Sequence, residues 1–308
     1  MRITFGVSLE DHTLRMYRPG FAFRLTAAFV VCGASAVPAA SQPPAVAPVE
    51  LVPHRAVYDL TLDTSTAGSN VTDIRGRLVF EFTGSSCQGY SLNTRLVTAI
   101  VDREGKAAMT DIRSKSWEQA NGGRFRFHTS QYLNSQLSED TKGDAKRTKD
   151  SRVQVTVQKP LKSQLSLAPG VMFPTQHSLA ILDAASKGQH RLQANLFDGS
   201  EKGTKVYETT TFIGKPFPAG ANKVLPPVAN AASLDGLVSW PVVISYYGAA
   251  ESKEGLPVYE TSFRMYANGV SRKLRFDYGS FAMTGEIAEI EFKKPEPCAA
   301  PRGKSKNS

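Results

Sequence analysis

The chain has 308 residues, 41% of them hydrophobic, with 37 Lys or Arg against 28 Asp or Glu and a formal charge of +9. That is enough apolar material for one large core or for two domains. The bases are scattered and mixed with acids, as in residues 139–150, which reads as a solvated face or hairpin tip and excludes a nucleic-acid groove.

The N-terminus carries a basic segment, Arg15 to Arg24, then an apolar run, Leu25 to Val37, then small residues at Ala36, Ala39, Ala40 and Ser41. This is the order of a secretory signal. The run falls short of the roughly 20 residues that a spanning helix needs, so the mature chain is expected to carry no transmembrane span. Cleavage is expected near residues 39–41, which assigns 1–40 to the signal peptide and the mature protein to the periplasm. Export lowers the formal charge to +7, because Arg2, Arg15, Arg18, Arg24, Glu10 and Asp11 leave. The segment before Arg15 is long, so either Met1 or Met16 is the start. Cys32 lies inside the apolar run and leaves with it. The other reading, a lipoprotein signal, would need a small residue where Val31 stands.

Residues 41–53 form a Pro-rich linker (Pro43, Pro44, Pro48, Pro53). From His54 the pattern has period two. Tyr58, Leu60 and Leu62 alternate with polar residues, with Val57 out of phase. Leu78, Phe80 and Phe82 follow, then Phe125 and Phe127, then Val153, Val155 and Val157. Such alternation puts one strand face on a core and the other in water. Leu192 to Phe197 and Val206 to Ile213 read as a hairpin around Asp198-Gly199 and Lys202-Gly203. Val238 to Tyr247 contains Pro241, which suggests an edge or bulged strand. Pro257 to Tyr266 and Val270 to Tyr278 flank Asn268-Gly269, a strong hairpin signal, and Phe281 to Phe292 is the last strand. One segment differs: Phe173 to Gly188 reads as a helix capped by Thr175 and stopped by Gly188, with Leu179, Leu182 and Ser186 on one face.

The expected fold is mainly β, an antiparallel spiral or broken barrel of about 12–14 strands over residues 54–298, with one mid-chain helix packed on it. Residues 299–308 are expected to be a disordered basic tail. Without Cys32, Cys87 and Cys298 remain. In an oxidising compartment they pair, and the other reading is two separate buried thiols. A bridge closes a loop of 211 positions, worth about 5 kcal/mol at most in the chain-entropy account. Its expected role is to hold the two free ends of the broken barrel in register.

Chemical signatures are weak. His177, Ser178 and Asp183 do not share a helix face and cannot form a triad among themselves. His54, His128, His177 and His190 have no metal-ligand spacing, and the carboxylates Glu286, Glu289 and Glu291 read as a surface stripe. The glycines mark turns and form no phosphate loop. No catalytic, cofactor or metal residue is therefore assigned. Tyr246, Tyr247, Tyr259, Tyr266 and Tyr278 either pack in the core or line a cleft, whose expected lining is Leu179, Leu182, Tyr247, Tyr259 and Tyr266.

Four features together resemble the EipB family of periplasmic cell-envelope integrity proteins: Pro53-His54-Arg55-Ala56-Val57-Tyr58-Asp59-Leu60, Phe173-Pro174-Thr175-Gln176-His177, Leu196-Phe197-Asp198-Gly199, and the pair Cys87 and Cys298. The resemblance covers residues 51–298. It implies a β-spiral with a disulfide and a non-enzymatic role in envelope integrity under stress, with another periplasmic or envelope protein as partner. The curved sheet is also similar to that of lipoprotein carriers. The alternative reading is thus a carrier for lipid or lipidated protein.

Overall fold

A computed structural model of the chain describes residues 50–221, 228–248, 255–295 and 298. The expected signal peptide with Met16, Cys32 and the cleavage region, residues 41–49 of the linker, and the tail 299–308 lie outside the described residues.

The described residues form fifteen strands: β1 (His54–Ser65), β2 (Val71–Ser85), β3 (Gly89–Asp102), β4 (Ala107–Glu118), β5 (Arg124–Leu133), β6 (Gln136–Arg147), β7 (Val153–Lys159), β8 (Ser163–Leu167), β9 (Val171–Met172), β10 (Arg191–Leu196), β11 (Tyr207–Ile213), β12 (Ser239–Gly248), β13 (Tyr259–Tyr266), β14 (Ser271–Asp277) and β15 (Phe281–Phe292). One helix, α1 (Pro174–Ser186), interrupts them. The fold class is as expected: mainly β, nearly closed and barrel-like, with one strand more than the upper expectation.

All fifteen strands belong to one sheet, in the order β8-β7-β6-β5-β4-β3-β2-β1-β15-β14-β13-β12-β11-β10-β9. The first and last strands pair with each other in the middle, and the two edges come from mid-chain. Fourteen steps at strand spacing make a flat sheet about 67 Å wide. Yet the edges, β8 and β9, are joined only by Ala168-Pro169-Gly170, a link that reaches about 15 Å at full extension. The sheet must therefore curl until its edges nearly meet. The pairing is antiparallel except between β9 and β10, which run parallel because α1 is the crossover between them.

The Cys87–Cys298 bridge is present, with Cα atoms 5.7 Å apart, but its role differs from the expected one. Cys87 sits in the β2–β3 turn and Cys298 beyond β15, and β2 and β15 are the two neighbours of β1. The bridge thus staples the centre of the sheet, where the chain ends meet. The free edges are elsewhere and are held by packing.

That packing centres on Phe127. Inward residues of β5 to β8 (Phe125, Phe127, Ala145, Val153, Val155, Val157, Leu167) form one buried cluster with Val171, Phe173 and Phe197 from the other edge. The Phe127 ring lies 5.6 Å from Phe125 and meets Phe197 edge-on at 5.7 Å. A Cβ on Gly143 would fall 2.4 Å from this ring, and so would one on Gly199. Gly199 also has φ +75°, so glycine is required there twice over. The β10–β11 hairpin forms as expected, with a long connection in place of a tight turn. That connection spans ten residues, with a 3-10 turn at Glu201–Gly203, and lies over Phe127.

Two other expectations change. Val57 is buried like Tyr58 although it lies on the opposite face of β1, where it pairs with Val79; the bulge beside it adds Ala288 to β15 and leaves β1 regular. β12 is central rather than an edge or bulged strand. Pro241 is tolerated because its carbonyl accepts from Gly214; the nitrogen, on the same side, therefore points past Ile213, where β11 has ended. The Asn268-Gly269 hairpin forms as expected, with Gly269 at φ +86°.

Phe127→Ala should destabilise the protein by about 3–5 kcal/mol. Phe212→Ala, on the exposed face of the same sheet, should cost under about 1 kcal/mol. Urea denaturation of both variants checks this, and equal midpoints would show that the closure does not rest on Phe127.

Candidate ligand cavity

The start of α1 is held by a residue of β4, five strands earlier in the chain. Pro174 occupies the first helical position, where its missing N–H costs nothing. Phe173 is the N-cap residue and has no side-chain oxygen to offer. The Glu118 carboxylate, at the end of β4, takes that role: Thr175 N–H donates to Oε2 at 2.7 Å and Gln176 N–H to Oε1 at 2.9 Å. Thr175 is therefore not the cap. It lies two positions after the N-cap, and its hydroxyl bonds the Glu118 carboxylate instead. The Gln176 side chain reaches back to the Phe173 N–H and packs on Gly122, where a Cβ would sit 1.9 Å from it. Arg147 completes the anchor by donating to the carbonyls of Gly122 and Val171 and to Gln176 Oε1. Gly188, at φ +70°, ends the helix.

Between α1 and the inner sheet face lies a cavity of about 170 Å³. Its walls are Leu78, Phe80 and Phe82 of β2, Phe263 and Met265 of β13, and Leu274 and Phe276 of β14. α1 contributes His177, Ser178 and Ile181, and β12 contributes Ile244 and Tyr246. Polar groups are few and mostly occupied. Ser178 donates to the Pro174 carbonyl, and Asp198 accepts from the Ser200 N–H. His177 Nε2 lies 3.4 Å from the Thr209 hydroxyl, and His54 Nδ1 lies 2.8 Å from the Val52 carbonyl. Burial holds both imidazoles below their usual range, His177 at about 4, so both are neutral at pH 7. A cavity with these walls suits an uncharged apolar group, and its volume, below the roughly 300 Å³ of a typical ligand pocket, matches the end of an acyl chain rather than a whole one.

The residues expected to line a cleft are distributed differently. Leu182 is buried and Leu179 half-buried, but neither faces the cavity. The buried stripe of α1 is His177, Ile181, Leu182, Ala184 and Ala185, and of these His177 and Ile181 reach the cavity. Tyr246 faces the cavity, and Tyr247, one residue on, faces the outer side beside Glu208. Tyr259 and Tyr266 are buried outside the lining. Tyr259 stands between Tyr246, at 5.3 Å, and Tyr278, at 5.0 Å.

His177, Ser178 and Asp183 go to three different partners, the last being Lys187 at 2.7 Å. His128 bonds Asp140 and His190 the Ile213 carbonyl. Glu289 lies 3.6 Å from Arg55. Glu118 is the functional residue that sequence reasoning missed. Its signal was a carboxylate four and six positions after Ser114 and Ile112, on the inward phase of β4.

Such a fold and site define a barrel-like protein with an apolar chamber closed by an anchored helix. The model of the EipB-like family matches residues 45–294, and the chain belongs to that family, as the resemblance implied. Cell envelope integrity protein EipB of Brucella abortus is 38% identical over 249 residues, which cover 80% of this chain and 86% of that one. A crystal structure of a beta-barrel-like protein from Brucella abortus matches with a TM-score of 0.74 at 35% identity, covering 80% of this chain and 100% of that one.

Glu118 and His177 titrate in opposing senses. Burial pushes Glu118 up to about 7, against the pull of the helix N–H groups, the Thr175 hydroxyl and Arg147. Tyr90 also faces it. Folding thus takes up a proton between the ordinary carboxylate value and 7, and stability falls as pH rises through that window. His177 stays neutral down to about 4, so its contribution is lost as pH falls from 6.5 to 4. Each is on the order of 3 kcal/mol, and in the native protein they nearly cancel. Glu118→Gln should leave a stability that rises with pH from 4 to 6.5, and His177→Gln one that falls from 4.5 to 7. Thermal melts across this range check both, and slopes of the same sign would refute the assignment.

Proposed function

We propose that the chain is an exported, periplasmic protein that keeps the cell envelope intact without catalysis, by holding another envelope component. Three things support the reading: the export signal and cysteine pair of the sequence, membership of the EipB-like family, and the name of the Brucella relative. The observation that carries the binding mode is the apolar cavity under α1. It favours a ligand that presents an acyl chain, either a lipid or a lipidated protein, over a partner that binds through surface contacts alone.

The test is a fluorescent fatty-acyl probe titrated into the mature protein. Saturable binding is expected, and Ile181→Trp, which fills the cavity, should weaken it by at least about tenfold. Binding that never saturates, or that ignores the filled cavity, would leave the carrier reading without support. For the envelope role, deletion of the gene should sensitise cells to detergents and cell-wall antibiotics, and unchanged sensitivity would overturn it.

A further inference from the structure

We propose that the end of the sheet carrying the β3–β4, β5–β6 and β7–β8 turns is a docking surface for an anionic lipid bilayer. Large apolar side chains are normally covered, and single exposed ones need no explanation. Here three of them gather at one end of neighbouring strands, Met109 at the start of β4 and Leu133 and Leu137 beside the β5–β6 turn, while Leu161 in the β7–β8 turn is set back from them, because β7 ends opposite Lys142, five residues along β6 from Leu137. They are between 47% and 80% exposed. Strand register places Met109, Leu133 and Leu137 at the same level but on alternate faces: Leu133 pairs with Thr110 on the inward phase of β4, whereas Met109 and Leu137, the partner of Tyr132, lie on the outward phase.

This tip is held rigidly. The turn consists of Asn134 and Ser135, both left-handed at φ 48° and 67°. Asn134 bonds Met109 in both directions: its N–H donates to the Met109 carbonyl, and its Oδ1 accepts from the Met109 N–H. A hairpin whose tip shows Leu on both sides, pinned to a methionine on the next strand, has the form of an interfacial anchor.

The charges behind the tip have the sign that a membrane requires. Residues 107–167 hold eleven Lys or Arg against six Asp or Glu, whereas residues 239–292 hold five against seven. The basic half and the apolar tips are the same half. Lys115, His128, Lys142 and Lys159 occupy successive partner positions across β4 to β7. The Arg113 guanidinium lies over the Tyr132 ring, 4.9 Å from its centre, next to the tip. Lys115, Lys142 and Lys162 are exposed and make no ion pair among the described residues. Apolar insertion combined with attraction to anionic headgroups is the two-part arrangement that gives reversible membrane binding. The surface lies outside the cavity, so the inference stands or falls apart from the acyl-binding reading.

Cosedimentation of the disulfide-bonded mature protein with vesicles tests it. Binding is expected to vesicles containing about a third phosphatidylglycerol, and to weaken with salt and on pure phosphatidylcholine. The combined change Met109→Ser, Leu133→Ser and Leu137→Ser should weaken it at least about tenfold, as should Lys115→Gln with Lys142→Gln and Lys162→Gln. Phe212→Ser, on the outer face of β11, should leave it unchanged. Should the triple serine variant fail to fold, Leu137→Trp gives an independent readout: its emission should shift to the blue on anionic vesicles and be quenched by lipids brominated in their acyl chains. No binding to anionic vesicles, binding that ignores both sets of variants, or an unshifted tryptophan would overturn the proposal. So would a lipid-free dimer that the triple serine variant abolishes, because the tips would then meet a second copy.

Discussion

Three residues, Ala168-Pro169-Gly170, join the two opposite edges of a fifteen-stranded sheet. No flat or gently twisted sheet of that width can satisfy such a link, so curling follows from connectivity before any side chain is considered. Side chains then decide how the curl is sealed. Phe127 stands at the seam, with Gly143 beneath its ring and the Gly199 to Gly203 segment laid over it. A larger residue at Gly143 or Gly199 would push the ring away and separate the edges. The disulfide acts elsewhere, where β1 brings the chain ends together.

A sheet closed in this way must fill or enclose its interior. α1 fills part of it, because the parallel β9–β10 crossover has to pass inside, and the remainder is the cavity. The position of the helix is set by a long-range contact: Glu118 from β4 meets N–H groups of α1 that no local side chain satisfies. Both ionisable groups at this end of the helix are buried in their neutral tendency, one an acid and one a base. Their proton linkages have opposite signs and so offset one another between mildly acidic and neutral pH.

Much of the architecture was legible in the amino acids. The period-two runs of β1, β2 and β7, the Asn268-Gly269 turn and the Gly188 stop all reflect local chemistry that reads directly from residue types. β6 was not legible, because its inward residues are Thr141, Gly143 and Ala145. They are small since Phe127 occupies the space above them, and a strand with small inward residues looks like a charged loop. The β10–β11 hairpin was legible, but the second use of its glycines was not: besides turning the chain, Gly199 and Gly203 pack closely against Phe127. The cavity lining was missed at the level of helix phase. His177 and Ile181 line the cavity in place of Leu179, and the helix start is held by Glu118, a partner distant in sequence.

The central claim is that closing the sheet through a mid-chain seam creates a chamber that holds an acyl-bearing envelope component. Native mass spectrometry of the mature protein purified from its own periplasm tests this most directly. The account predicts a mass two hydrogens below that of the reduced chain, plus a lipid-sized adduct that is lost on unfolding and absent from the Ile181→Trp protein. A bridged but bare chain, with the same spectrum for both proteins, would contradict it.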